Sequence, residues 1–364
     1  MLSFDMRMLA LTAALLLTLT HAQTTLDFTA TLEALRAKYN LPSISGVAIL
    51  GNAIAGVAAV GKLQAGGDQP VTLTSAYQLG SNSKSMNATM IARLVERGLL
   101  RWDSTLGEVM PKIKMRDEYK TVTLEMLLSH RSGIIANTAV LGGPSRDAAR
   151  VGYLEAALAQ PRGPQAYLYS NVGYVASAMM AEVVTGKAWD VLMREEVLEP
   201  LGMVGCGVGF GAAGDPLPHR FQGDGVRVLP MNSGNLRVFD GADQMRCPLT
   251  AFARYVSAHL TGERGGSSLL KAETWKRLHS DVAGQGYAFG WVVFTQPWAR
   301  GPILNHAGTN TNNYAVMWLA PERGIAMVIA TNVGQDENNS IARVNGIANQ
   351  GIGALLTELM KLAP

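Results

Sequence analysis

Three short motifs follow one another along the 364-residue chain: Ser81-Asn82-Ser83-Lys84, Tyr169-Ser170-Asn171 and His306-Ala307-Gly308. A serine hydroxyl at its free pKa is a poor nucleophile and needs an adjacent base. Positions i and i+3 of a helix share a face, so a helix starting near Ser81 sets the Lys84 amine beside the Ser81 oxygen. The chemistry this permits is attack of the hydroxyl on an acyl carbon while the amine takes its proton. A lysine does so only where burial or neighbouring cations lower its pKa. The Ser-x-x-Lys spacing alone says little, because Ser268 and Lys271 repeat it. Ser81 differs in its flanks: a strand-like run over residues 71–79 precedes it and a helix-like run follows, whereas Ser268 ends a polar stretch.

The elements that must position these residues are legible in the periodicity. Met86, Met90, Ile91, Leu94, Val95 and Leu99 recur with a helical period after Ser81, and Gly98 falls near the end of that run. The unpaired N–H groups and the dipole at the start of such a helix favour developing negative charge, which suits an oxyanion. Residues 31–39 read as a helix and 44–60 as two strands about Gly51-Asn52. The middle reads as helices near 124–128, 148–158, 172–184, 191–195 and 249–260, separated by long loops rich in Gly, Pro and Asp. Strand signals return over 289–294, 314–319 and 325–331, and an apolar helix closes the chain over 341–362.

The ends therefore supply strands and the middle supplies helices. The expected fold class is α+β, an antiparallel sheet built from residues 23–100 and 269–364 and flanked by the N- and C-terminal helices. A mainly helical domain is inserted over 101–268, and the site lies in the cleft between the two.

Each candidate also has a plainer reading. Ser81 and Asn171 are residue types favoured at helix N-caps. Tyr169 stands close to Tyr167 and Tyr174, which read as packing residues. A lone histidine such as His306 has a surface position before a turn as its plainer alternative, and His130 reads as fixing a loop. The stretch from Gly308 to Asn313 reads as a loop by default. The ordered set of motifs is what favours chemistry.

Gly80-Ser81-Asn82-Ser83-Lys84, the stretch Leu127-Leu128-Ser129-His130-Arg131-Ser132-Gly133, Tyr169-Ser170-Asn171 and His306-Ala307-Gly308 together resemble the penicillin-recognising serine hydrolases. The branch they look like holds class C β-lactamases, D-stereospecific peptidases and related esterases. Leu41-Pro42, Glu199-Pro200-Leu201-Gly202-Met203, Gly290-Trp291 and Leu319-Ala320-Pro321-Glu322 extend the likeness from about Leu32 to near the C-terminus. The resemblance implies a β-lactamase-like fold and no cofactor. It makes Ser81 the acylated nucleophile, Lys84 its base or proton relay, and Tyr169 the group that exchanges a proton with the leaving atom and then with water. Asn171 would bond Lys84 or the substrate. His306 and Gly308 would lie on the strand at the site's edge, with the N–H groups of Ser81 and Thr309 as the oxyanion hole. Where typical β-lactamases have Lys-Thr-Gly, this chain has His-Ala-Gly, so a fixed cation is replaced by a group partly charged near neutrality.

The expected function is an exported serine hydrolase of a small ester or amide, with carboxylesterase-like activity favoured by that departure. A β-lactamase, D-Ala carboxypeptidase or D-aminopeptidase is the alternative, and a non-catalytic penicillin-binding-like protein the third. Composition sets the remaining bounds. With 48% hydrophobic residues and a mean hydropathy of +0.12 the chain can bury large cores. The net charge of +3 comes without a basic block, so nucleic acid binding leaves no footprint. Arg7, an apolar run over 9–19 and Thr20-His21-Ala22 read as a signal peptide over 1–22, which implies a periplasmic or secreted protein. No cysteine stands at the cleavage point, so no stable membrane anchor is expected after cleavage. Cys206 and Cys247 fit an exported protein as one disulfide or as two buried thiols. The six histidines show no metal-ligand spacing, and the expected partner is a small ester, amide or peptide.

Overall fold

The computed structural model describes residues 26–140, 142–209, 211–229, 237–309 and 313–363. The leader expected over 1–22 lies outside them, as do residues 310–312 of the loop read after Gly308. Helix α1 (Thr29–Lys38) precedes a hairpin of β1 (Ser43–Leu50) and β2 (Ala53–Gly61). The two-residue strand β3 (Tyr77–Gln78) leads through a 3-10 turn, Gly80–Asn82, into α2 (Ser83–Glu96). Next come α3 (Leu106–Val109), α4 (Leu124–Leu128), α5 (Arg146–Leu158), α6 (Asn171–Thr185) and α7 (Trp189–Met193), which runs on as a π turn over Arg194–Leu198. Four short strands follow: β4 (Gly207–Val208), β5 (His219–Gln222), β6 (Gly225–Val228) and β7 (Met245–Cys247). After α8 (Leu249–Thr261) and α9 (Ala272–His279) the chain makes β8 (Val292–Thr295), β9 (Pro302–Thr309), β10 (Tyr314–Ala320) and β11 (Ile325–Thr331), and ends in α10 (Ala342–Leu362).

The main sheet has the order β2-β1-β11-β10-β9-β8, with every pair antiparallel. Strand residues alternate between its faces. Ile44 and Ala48 of β1 and Ile325, Met327 and Ile329 of β11 pack with Leu32 of α1 and with Ile352, Leu355 and Leu359 of α10. Val47, Ile49, Ala326, Val328 and Ala330 face the other way, onto a core shared with α2, α6 and α8. Both faces being covered, β11 is buried at every position, which is why its sequence is a continuous apolar run.

Two of the differences from the sequence expectation bear on how the site is held. Only Tyr77 and Gln78 of the run over 71–79 form a strand, because Ser75 turns the chain back by accepting the Thr72 N–H at 3.1 Å. Helix α8, read with the middle helices, lies on β1 and β11 and covers the sheet directly, while α2 packs among α6, α7 and α9. Cys206 and Cys247, open between a disulfide and two thiols, are bonded to each other. The bond pins β7, which pairs with β3 on one side and β4 on the other. Among the described residues no helix is long and apolar enough to cross a membrane.

Candidate active site

Ser81 lies not in the α-helix but in the 3-10 turn before it, where Gly80 takes a left-handed φ of 52°. Buried side chains lock the turn. Asn82 Nδ2 donates to Leu79 O at 2.8 Å and to Ala315 O on β10 at 3.1 Å. Ser83 Oγ donates to Gly80 O at 2.7 Å and accepts the Met245 N–H of β7 at 3.0 Å. The turn that carries Ser81 is thus fixed from the sheet on one side and from β7 on the other.

Lys84, fully buried, reaches back to Ser81 as the spacing predicts. Its Nζ lies 3.0 Å from Ser81 Oγ, 2.7 Å from Asn171 Oδ1 and 3.0 Å from Ala242 O. Two of these, the amide oxygen and the backbone carbonyl, can only accept. They take two N–H bonds and leave the third direction on the Ser81 oxygen, where a neutral amine presents its lone pair. Burial pushes the amine well below the usual lysine range, an effect that Asp243 partly opposes. That is the shift a lysine base requires.

Tyr169 is half-buried, with its hydroxyl beside Ser81 and its ring 4.8 Å from Lys84 Nζ. Burial raises its hydroxyl, so it carries its proton at neutral pH. His130 braces the motif from below. Its backbone has φ 58°, its Nδ1 accepts the Ser170 N–H at 3.0 Å, and its ring stands 4.3 Å from that of Tyr169. Tyr174 is buried, with its hydroxyl on Leu128 O at 2.8 Å, whereas Tyr167, expected to pack likewise, is 39% exposed at the rim. The cap of α6 is Ser170, which accepts the Gly173 N–H at 3.0 Å. Asn171 is instead the first helical residue, and its side chain is free to hold Lys84 through Oδ1 and Asn137 through Nδ2, at 2.8 Å.

His306 and Gly308 lie on β9 opposite Met317 and Ala315, whose face of the sheet is the one turned toward α2. Strand β8 leaves β9 at Asn305, and beyond that point β9 meets the Gly80–Asn82 turn. The approach is close enough that a Cβ on Gly308 would stand 2.1 Å from Leu79 O and 2.6 Å from Ser81 N, and one on Gly80 2.5 Å from Thr309 N. Glycine at both positions is what lets β9 come this close to the turn that carries Ser81.

The charge expected at His306 is corrected. The side chain is buried, with Nδ1 3.0 Å from Ala307 O and Nε2 3.4 Å from the Tyr287 hydroxyl. Burial, and then the Lys84 charge, lower its pKa from 6.5 to about 3. The imidazole is neutral throughout the range in which the site could work. Between pH 3 and 6.5 the unfolded chain therefore takes up more protons at this residue than the folded one, so this term lowers stability as pH falls. His306→Gln is expected to give a shallower decline of Tm with falling pH in that window than the native chain, measured by calorimetry.

Ser268 and Lys271 are exposed, in the bend before α9 and apart from the site. Two contributors left no mark in the sequence: the Ala242 carbonyl, because any residue supplies one, and Asp243, a single acid in a loop. Among the described residues no group of His, Cys, Asp or Glu could hold a metal ion.

A Beta-lactamase family model matches residues 28–349. Penicillin-binding protein 4 of Amycolatopsis lactamdurans is 26% identical over 324 residues, which are 83% of this chain and 84% of that protein. Esterase/beta-lactamase LipL of Mycobacterium tuberculosis is 30% identical over 152 residues, 40% of this chain and 34% of that one. In fold, the chain is similar to the D-amino acid amidase from Ochrobactrum anthropi SV3, with a TM-score of 0.75 at 18% identity over 91% of this chain and 98% of that one.

Proposed function

The chain belongs to the Beta-lactamase family of penicillin-recognising serine hydrolases, and from that premise we propose that it is an exported hydrolase of small esters or amides, with carboxylic esters preferred. In this reading Lys84 takes the Ser81 proton as Oγ attacks the acyl carbon, and the Ser81 and Thr309 N–H groups hold the oxyanion. Tyr169 passes its proton to the leaving oxygen or nitrogen and regains one from Lys84, and the alcohol or amine departs from an acyl-Ser81. Water then attacks that ester and gives its proton through Tyr169 to Lys84, which returns it to Ser81 Oγ as the acyl–oxygen bond breaks and the acid is released. Export is supported by the apolar leader pattern and by the Cys206–Cys247 bond, which suits an oxidising compartment.

The observation that carries the substrate preference is the neutral, buried His306 in place of a fixed cation. An imidazole without charge gives a substrate carboxylate little field. The relative described as an esterase/beta-lactamase supports hydrolysis of an ester or a β-lactam, and the one described as a penicillin-binding protein supports a site that receives β-lactams. At pH 7 to 8, kcat/KM for short p-nitrophenyl esters is expected to exceed that for nitrocefin, and intact-protein mass spectrometry is expected to find the acyl group on Ser81. His306→Lys is expected to move the preference toward anionic acyl compounds. Faster cleavage of nitrocefin, unmoved in the lysine variant, would instead establish the β-lactamase reading. A lasting adduct without turnover would mark a binding protein.

A further inference from the structure

His130 is a buried histidine held at a left-handed φ of 58°, a conformation that costs a side chain free energy and persists where the surroundings impose it. From that position it takes hold of both neighbours of Tyr169. Its carbonyl accepts the Leu168 N–H at 2.8 Å, and its Nδ1 accepts the Ser170 N–H at 3.0 Å. The imidazole itself lies among four tyrosine rings, with centroids 4.3 Å from Tyr169, 4.7 Å from Tyr287, 5.0 Å from Tyr174 and 5.9 Å from Tyr167. Tyr169 is thus gripped at the residue before it, at the residue after it and on its ring.

The hydrogen bonds also fix where the imidazole keeps its proton. Because Nδ1 accepts, the ring is neutral and its one N–H is at Nε2. That atom is buried and finds no hydrogen-bond acceptor among the described residues. A buried N–H without a partner is rare and calls for a reason. Such a donor contributes little while its neighbours are neutral and stabilises one that becomes negative. Tyr169, the ring closest to the imidazole, is the tyrosine of the four that gives up its proton in the mechanism above. We propose that His130 is the positioning residue of the proton transfer: it clamps Tyr169 beside Ser81 and Lys84 and, through its unpaired N–H, eases the loss of the Tyr169 proton to the leaving group. This rests on the hydrolase reading above and deepens it.

Esters of one acid with different leaving groups test it. p-Nitrophenoxide departs without a proton, phenoxide gains from one, and methoxide needs one as it leaves, while kcat/KM reports acylation for all three. The p-nitrophenyl, phenyl and methyl esters of butanoate would be compared at pH 8 in the native enzyme, in His130→Asn and in His130→Phe, with thermal melts of each. Asparagine tolerates a left-handed φ and keeps an acceptor for Ser170 but ends short of Nε2, whereas phenylalanine keeps a ring without the acceptor or the N–H. In both variants kcat/KM is expected to fall less than about threefold for the p-nitrophenyl ester and on the order of 10^2-fold for the methyl ester, with phenyl between, since general-acid catalysis is worth that much where the leaving group needs a proton. An equal loss for all three esters in a folded variant would mean that His130 only supports the fold, which overturns the proposal and leaves the hydrolase reading intact. Failure of both variants to fold does the same. No turnover of any of the three esters by the native protein and no acyl-Ser81 would remove both.

Discussion

Replacing Ser81 with alanine is expected to lower turnover by a factor on the order of 10^4 or more, with the fold unchanged. The Ser81 hydroxyl oxygen is the atom to which the acyl group is bonded in the proposed mechanism, and among the described residues it is the one hydroxyl hydrogen-bonded to Lys84 Nζ, which also meets Asn171 and Ala242. The structural cost is small because Ser81 makes no side-chain cap to its turn, which Asn82 and Ser83 hold instead. Its loss is therefore expected to change stability by less than about 1 kcal/mol. Lys84→Met and Tyr169→Phe should each lose nearly as much activity, and the pair no more than either, since members of one proton-transfer unit fail together. Steady-state kinetics with a p-nitrophenyl ester, alongside thermal melts, checks all three. An alanine variant at native turnover would refute the assignment.

The second large effect is expected from a single methyl group. Gly308→Ala would place a Cβ 2.1 Å from Leu79 O, 2.6 Å from Ser81 N and 2.8 Å from Asn82 N, all backbone atoms that cannot rotate aside. Strand β9 must then back away from the turn, which separates the two oxyanion donors. Loss of one well-placed donor costs about 10^2- to 10^3-fold in kcat, and overpacking of this kind costs about 1–3 kcal/mol of stability. Gly353→Ala is the control: it lies in the interior of α10 with nothing within 4 Å of the added carbon. There the substitution is expected to leave kcat alone and to stabilise by roughly 0.5–1 kcal/mol, because alanine is the better helix former. Equal kinetics in the two variants would show that the close approach of β9 is not what shapes the site.

The parts of the site legible in the sequence are those fixed by local spacing. The i, i+3 relation of Ser81 and Lys84 survives even though Ser81 sits in a 3-10 turn, because that turn runs directly into α2. The segments 124–128 and 325–331 are read to the residue, the first opened by the cap Thr123 and the second an unbroken apolar run. What escaped depends on contacts distant in sequence. The neutrality of His306 comes from its burial between Tyr287 and the sheet, which no motif encodes. The cap of α6 went to Ser170 rather than Asn171 because Lys84 and Asn137 claim the Asn171 amide. The run over 71–79 looked like a strand because its apolar ends, Val71 and Leu79, are both buried, yet the Thr72–Ser75 bond turns the chain between them.

The order of strands in the main sheet has a consequence for how the molecule is made. Strand β1 pairs with β11, Ile44 opposite Thr331, so the centre of the sheet joins segments from opposite ends of the described chain. Such a pairing has high contact order and is slow to form, since the entropy of closing the loop is lost before any contact compensates it. During synthesis the helices α2 to α7 emerge long before β9, and with them Ser81, Lys84 and Tyr169. The donor at Thr309 arrives only with the last third of the chain. On the proposed mechanism a nascent molecule would thus hold its nucleophile and base for some time without an oxyanion hole, and would become competent only when the final strands dock.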